Sequence, residues 1–174
     1  MDTLNSSGKL TTFRATTPND IPFVIAAERH PDNAPYIGQW DEQRHIDAIA
    51  AEDKAHFILE ASSQPVGYFI LIGLQDPNRS VHLQRVVVTQ KGNGYGRQII
   101  QWVKQYAFER LRFHRLWFDV VKSNEKAKTL YLSEGFVIEG KMRDGWKTKQ
   151  GYEDLLLLSM LDSDYVSTAS RPDG

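Results

Sequence analysis

The sequence predicts a mixed α/β fold, an α+β arrangement built on a central sheet, and three observations carry that expectation. Short runs rich in Val, Ile, Leu, Phe and Tyr are bounded by turn residues, as strands are. Other stretches repeat their apolar residues at helical spacing. The two kinds follow one another as β-α-α-β-β-β-α-β-α-β-β, which is not a repeating βαβ array.

In order, Leu10–Ala15 reads as a short strand. Thr17-Pro18-Asn19-Asp20 then announces a helix: Thr17 can cap, Pro18 suits the first helical position, and Asp20 sits where a carboxylate reaches back. Ile21, Val24, Ile25 and Glu28 continue it, and the Pro-, Gly- and Asn-rich stretch His30–Trp40 is irregular. Asp41–Asp53 returns to helical spacing with Ile46, Ile49 and Ala50 on one face. Strands His56–Ala61 and Val66–Leu74 flank the turn Ser62-Ser63-Gln64-Pro65. Strand Val81–Val88 ends in the run Arg85-Val86-Val87-Val88, whose β-branched side chains suit burial on both faces. A long helix follows over about Gly94–Arg112, then strand Arg115–Val120 and helix Asn124–Glu134, stopped by Gly135. Strands Phe136–Met142 and Tyr152–Met160 close the order.

Among 174 residues, 21 are Lys or Arg and 22 Asp or Glu, and the formal charge of −1 argues against a dedicated nucleic-acid binder. There is no cysteine, which excludes disulfides, thiolate nucleophiles and cysteine-type zinc sites. The histidines His45, His56, His82 and His114 show no metal spacing and read as ordinary, so no metal is expected. Apolar runs such as Leu155–Leu158 fall far short of the ~20 residues of a membrane span. The start Met1-Asp2-Thr3-Leu4-Asn5-Ser6-Ser7-Gly8 shows no signal peptide, so a cytoplasmic protein without a membrane partner is expected. With no Pro/Ser-rich linker or repeat, the expectation is one domain over residues 10–161, with loosely held ends at 1–9 and 162–174.

The chemistry concentrates in Lys91-Gly92-Asn93-Gly94-Tyr95-Gly96-Arg97, between a buried-looking strand and the longest helix. Alternate glycines let the backbone bend tightly and let ligand oxygens approach without a Cβ in the way. The helix that follows offers N–H groups and the positive end of its dipole, a ready anion site, and Lys91 and Arg97 add positive charge. The bland alternative is a glycine turn without a ligand. A dinucleotide fingerprint fits Gly92 and Gly94, with Asp119 downstream, but Arg97 stands where that motif needs a small residue for close helix–strand packing.

Lys91-Gly92-Asn93-Gly94-Tyr95-Gly96 resembles the Gln/Arg-x-x-Gly-x-Gly/Ala signature of the GNAT (GCN5-related N-acetyltransferase) superfamily, with Lys91 in place of the usual Gln or Arg. Leu116–Val120, Ser123–Ala127, Leu130-Tyr131 and Gly135–Gly140 are similar to the family's second half in the expected order. Arg143-Asp144-Gly145 and Tyr152-Glu153-Asp154 resemble the branch of ribosomal-protein N-terminal acetyltransferases. The resemblance implies a mostly antiparallel sheet of about seven strands, splayed after the fourth, and about four helices. It implies acetyl transfer from acetyl-coenzyme A to a primary amine, on a protein N-terminus or a small molecule, by a monomer or homodimer. A non-catalytic acyl-coenzyme A sensor is the alternative.

By resemblance, Val86, Val87 and Val88 offer backbone to the pantetheine arm, and the loop holds the diphosphate. Asn124 is a helix cap and, in the family's pattern, a cofactor contact. Tyr131 protonates the leaving thiolate, against a bland role as a core tyrosine. Asp119 takes the amine's proton, against a bland role in a salt bridge; strand alternation puts it on the face of Trp117, opposite Leu116, Phe118 and Val120. Glu28 is a second acidic candidate on the acceptor side, although a solvated helix face is its simpler reading. Tyr36 and Trp40, beside His30, are candidates for an aromatic wall, and Trp146 and Tyr152 belong to the final hairpin.

Overall fold

The computed structural model describes the backbone of residues 3–4 and 10–169 and the side chains of residues 10–165. The ends expected to be loosely held therefore lie largely outside the described residues, at 1–2, 5–9 and 170–174. The chain divides into two compact units, Met1–Gln75 with Leu83–Ile99, and Asp76–His82 with Ile100–Gly174. Of the three boundaries, one falls in the turn at Gln75 and Asp76 and two fall inside regular elements, a strand and a helix.

In the first unit the strand order is β1 (Thr3–Leu4), β2 (Leu10–Ala15), β3 (Lys54–Ala61), β4 (Gln64–Ile72) and β5 (Ser80–Val88, from Leu83 onward). β2 pairs antiparallel with β3 from Thr11↔Ala61 to Ala15↔Phe57. β3 pairs antiparallel with β4, with a bulge between Leu59 and Glu60. Ser62 and Ser63 both take positive φ, +50° and +61°. Two left-handed residues in a two-residue loop match the twist of the strands they join, so β4 starts at Gln64, earlier than the expected Val66.

Helix α1 (Ile21–Arg29) is entered through a 3-10 turn, Pro18–Asp20. The Thr17 N–H donates to Asp20 Oδ2 at 2.8 Å, the reach-back its spacing predicts. Arg14 grips the same carboxylate at 2.7 and 2.8 Å and Glu60 at 2.8 Å, fastening the helix start to β2 and β3. Helix α2 (Glu42–Ala50) is capped by Asp41, which accepts from the Arg44 N–H at 2.8 Å. Its buried residues are His45 and Ala48, while Ala50, expected inside, is exposed. Val24, Ala27, Trp40, Ala48, Ile58, Tyr68, Ile70 and Val87 form this unit's core.

In the second unit the order is the start of β5, then β6 (Arg115–Val121), β8 (Gly151–Leu161) and β7 (Val137–Thr148). β5 meets β6 in parallel over three residue pairs, Ser80↔Arg115 to His82↔Trp117. β6 and β8 pair antiparallel from Arg115↔Leu161 to Val121↔Leu155. β7 runs past Met142, where its composition turns polar, because its antiparallel ladder with β8 continues to Thr148↔Gly151 with bulges on the way. Helix α4 (Glu125–Ser133) ends at Gly135, whose φ of +91° suits glycine. Helix α5 (Asp162–Ala169) stands where polar composition predicts irregular chain.

The long helix expected over Gly94–Arg112 is two elements. Helix α3 (Tyr95–Gln105) passes into a π-helical turn, Tyr106–Arg110, closed by the Leu111 N–H on the Tyr106 carbonyl at 2.9 Å. The stacking of Trp102 on Tyr106, with centroids 4.7 Å apart, accompanies that change of pitch. All seven expected strands are present, in the mixed α/β arrangement that the order of elements predicts.

Gly67 of β4 is a close approach of backbones: a Cβ there would stand 2.8 Å from the Val87 carbonyl oxygen. Gly67→Ala is expected to lower the unfolding free energy by about 1–3 kcal/mol, measured by urea denaturation. An unchanged midpoint would mean that the two strands have room to part.

Candidate active site

In the first unit, β5 runs into the glycine loop and the loop opens α3. Gly92 and Gly94 sit at φ of +83° and +76°, conformations that other residues adopt only under strain. A Cβ built on Gly92 would meet nothing within 4 Å, so the loop's outer surface is open for a ligand. The Asn93 amide braces the turn through the Gln90 and Lys91 carbonyls, each at 3.4 Å. The hydrogen-bond ladder of α3 begins with the Gln98 N–H on the Gly94 carbonyl at 3.1 Å. Amides ahead of that bond belong to a helix first turn, where the dipole favours an anion. The ring of Tyr95 is buried, so this residue offers a ligand its backbone alone; Gly96 and Arg97 follow it in the first turn. Val86 is half-buried and Val87 and Val88 are buried. Lys91 Nζ donates to Asn33 Oδ1 at 2.6 Å.

Glu28 departs from the simpler reading of its sequence position, since it does not lie on a solvated helix face. It is 1% exposed, at the centre of a polar cluster inside this unit. Oε1 accepts from the Tyr68 hydroxyl at 2.5 Å and from Arg85 Nη1 at 2.8 Å, and Oε2 accepts from the Trp40 N–H at 3.1 Å. His45 Nε2 lies 3.1 Å from Oε1, close enough for strong attraction although not aligned as a full hydrogen bond. Burial alone would raise the Glu28 pKa, but His45, Tyr68, the Arg85 charge and the Trp40 N–H together hold it below the ordinary carboxylate value. Burial beside Glu28 pushes the Tyr68 phenol well up, so it stays a donor.

The cluster continues outward from His45. His56 Nε2 lies 3.3 Å from His45 Nδ1, and Thr16 Oγ1 lies 2.8 Å from His56 Nδ1. Trp40 is 6% exposed, and the Arg44 and Arg85 guanidiniums each stand 4.2 Å from its ring. An acceptor stacking on this ring would compete with both guanidiniums. Tyr36, 40% exposed, keeps a surface for one.

In the second unit, β6 alternates as expected. Leu116, Phe118 and Val120 are buried, while Trp117 and Asp119 share the other face. His82 stacks on Trp117 with centroids 4.0 Å apart, and its Nε2 lies 3.9 Å from Asp119 Oδ2. Burial lowers the His82 pKa to about 4 and raises that of Asp119 above the ordinary aspartate value. Tyr131 of α4 packs on Phe118, centroids 4.4 Å apart. Burial and then the Asp119 charge push its phenol up to about 12. Asn124 caps α4, its Oδ1 accepting from the Ala127 N–H at 3.3 Å. Tyr152 of the final hairpin is exposed.

Sequence reasoning overlooked Asn33, Tyr68 and Arg85 and read His45, His56 and His82 as ordinary. Arg85 carried a signal: it occupies an inward position of β5, in line with the buried Val81, Leu83 and Val87. A cation at such a position needs a buried carboxylate. Among the described residues, no group of three or more His, Cys, Asp or Glu is placed to hold a metal ion, and no helix is long and apolar enough to cross a membrane.

The model of the acetyltransferase (GNAT) family matches residues 23–136. In sequence the chain is similar to a spermidine N(1)-acetyltransferase of Vibrio cholerae, 29% identical over 165 residues that make up 90% of this chain and 95% of the relative. It is also similar to the acetyltransferase PseH of Campylobacter jejuni, 25% identical over 146 residues, 78% of this chain and 88% of the relative. Its fold matches the crystal structure of the Vibrio cholerae spermidine N-acetyltransferase in complex with CoA and spermine, with a TM-score of 0.81 and 23% identity over 90% of this chain and 98% of that one. These matches replace the dinucleotide reading of the loop. The Vibrio cholerae proteins are spermidine N-acetyltransferases by name, not members of the ribosomal-protein branch that the closing strands led us to expect.

The buried histidines make stability depend on acid. Burial, then neighbouring His45, lower the His56 pKa from 6.5 to about 3, so the folded chain excludes a proton that the unfolded chain binds. The contribution of His56 to stability is complete above pH 6.5 and is lost as the pH drops from there towards 3. The slope is about 1 kcal/mol per pH unit, readable by urea unfolding at pH 7 and pH 5. His56→Gln is expected to flatten it, and an identical slope in the variant would remove His56 as the cause.

Proposed function

We propose that this chain, which belongs to the acetyltransferase (GNAT) family, acetylates a primary amine of a polyamine such as spermidine. It is an acetyl-coenzyme A-dependent N-acetyltransferase, with acetyl-coenzyme A as co-substrate. The observation that carries the polyamine reading is the similarity, across nine-tenths of the chain, to a spermidine N(1)-acetyltransferase. A cytoplasmic location belongs to the same reading.

In this reading the diphosphate of the co-substrate rests on the amides of Gly92, Asn93, Gly94, Tyr95 and Gly96, with Lys91 and Arg97 adding charge. Backbone groups of Val86, Val87 and Val88 receive the pantetheine amides, and the Asn124 side chain adds a contact while it caps α4. Tyr36 meets the acceptor. Glu28 and Trp40 act from beneath, by fixing the segment that carries Tyr36.

An amine held as ammonium cannot attack, so Asp119 takes its proton, directly or through a water. Its raised pKa makes it a better acceptor than an ordinary aspartate. The amine nitrogen then bonds to the thioester carbon as the carbon–sulfur bond breaks; Tyr131 gives its phenolic proton to the departing sulfur, and the second proton shed by the acetylated nitrogen returns to the phenolate through water. With a pKa of about 12, that phenol is protonated throughout the neutral range. The chain has no cysteine to carry the acetyl group, which favours direct attack over an acyl-enzyme.

The test is thiol release from acetyl-coenzyme A with spermidine, spermine, an N-terminal peptide and an aminoglycoside as acceptors, with products weighed by mass spectrometry. Spermidine or spermine is expected to gain one acetyl group, and turnover with the peptide alone would replace the polyamine reading. Tyr131→Phe is expected to lower kcat by about a hundredfold while the Kd of acetyl-coenzyme A stays nearly constant. An unchanged kcat would clear Tyr131 of the acid role.

A further inference from the structure

We propose that Asn33 is a positioning residue for the co-substrate, aiming the Lys91 ammonium at the diphosphate and keying the segment that carries Tyr36 to the same loop. This rests on the reading of residues 91–97 as the diphosphate site.

Asn33 lies in the irregular stretch between α1 and α2, where an asparagine would ordinarily face water, yet it is 7% exposed. Its side chain joins three separate parts of the first unit. Nδ2 donates to the Ala27 carbonyl near the end of α1 at 2.9 Å and to the Val88 carbonyl at the end of β5 at 3.3 Å. Oδ1 accepts from Lys91 Nζ at 2.6 Å. Its backbone organises the segment itself: its N–H donates to the His30 carbonyl at 2.8 Å, and its carbonyl accepts from the Tyr36 N–H at 2.9 Å. One residue thus fixes the lysine of the glycine loop, the last carbonyl of β5 and the turn that presents Tyr36.

The choice of an amide has a chemical reason. An amide oxygen fixes the direction of a lysine, a flexible point charge, without cancelling its charge. A carboxylate at position 33 would bind the ammonium more tightly but neutralise it and repel a diphosphate. An apolar residue would take the amide oxygen away from the ammonium and the amide donor away from the Val88 carbonyl. If Asn33 only closed the end of α1, its bond to Ala27 would suffice; its hold on Lys91 is what a structural role does not require.

The experiment is calorimetric titration of CoA, at low and high salt, into the wild type, Asn33→Ala, Lys91→Met and the double variant, with kcat and KM measured beside it. Asn33→Ala and Lys91→Met are each expected to raise the Kd of CoA about tenfold, with kcat within about threefold. The double variant is expected to be no more than about twofold weaker than either single one, because both remove the same aimed charge. An unchanged Kd in Asn33→Ala, or losses that multiply in the double variant, would overturn the proposal. Should Asn33→Ala fail to fold, Asn33→Asp keeps an acceptor for Lys91 and is expected to weaken CoA more than Lys91→Met does; an unchanged Kd would overturn it equally. A wild type that does not bind CoA would defeat the reading of the loop itself, a separate result.

Discussion

A carboxylate sealed from water has to be matched where it stands, and Glu28 imposes that condition on the whole first unit. Its oxygens draw in the Tyr68 hydroxyl from β4, the Arg85 guanidinium from β5 and the Trp40 N–H from the loop after α1. Arg85 also donates to the Gly38 carbonyl and lies against the Trp40 ring, and Gln39 Nε2 donates to the Glu28 carbonyl at 2.9 Å. Desolvating such ions is expensive, and losing one partner leaves an uncompensated charge worth about 3–5 kcal/mol. The cluster is therefore better understood as a device that gives residues 38–40 one position than as a source of net stability.

That position matters because the same loop carries Tyr36 and Asn33, and Asn33 reaches the end of β5 and the glycine turn. Local sequence, buried charge and the presentation of the loop are thus links of one chain. The His45–His56 pair extends the cluster towards Thr16, and the lowered pKa of His56 makes it sensitive to acid. In the second unit the logic is different. Apolar packing of Tyr131 on Phe118 and of His82 on Trp117 sets the surroundings of the titratable groups, and burial moves their pKa values apart: Tyr131 up, Asp119 up, His82 down.

Much of the architecture was legible because period and punctuation agree. The alternation of Leu116 to Val120, the asparagine cap of α4 and its glycine stop are local rules, and they held; the turn between β3 and β4 was legible in place but is two residues long, not four. The length of β7 was not legible, since pairing with β8 and not composition carries it to Thr148. Nor was the π-helical turn after Gln105, where helical periodicity continues through a change of pitch. The glycine loop was visible as a motif. The burial of Glu28 and Trp40 was hidden because their partners are distant in sequence: Arg85 is 57 residues from Glu28. His45 escaped notice on α2 because Ile46 and Ile49 suggested a face that excluded it.

The central claim is that amides at the start of α3, opened by Gly92 and Gly94, hold the diphosphate of the acetyl donor. Titrating CoA calorimetrically into the wild type and into Gly94→Glu tests it most directly, since a carboxylate there meets the phosphates and strains a φ of +76°. Micromolar-range binding by the wild type, lost by at least about a hundredfold in a variant that still unfolds cooperatively, is the result expected. Equal affinity in the two proteins would contradict the claim.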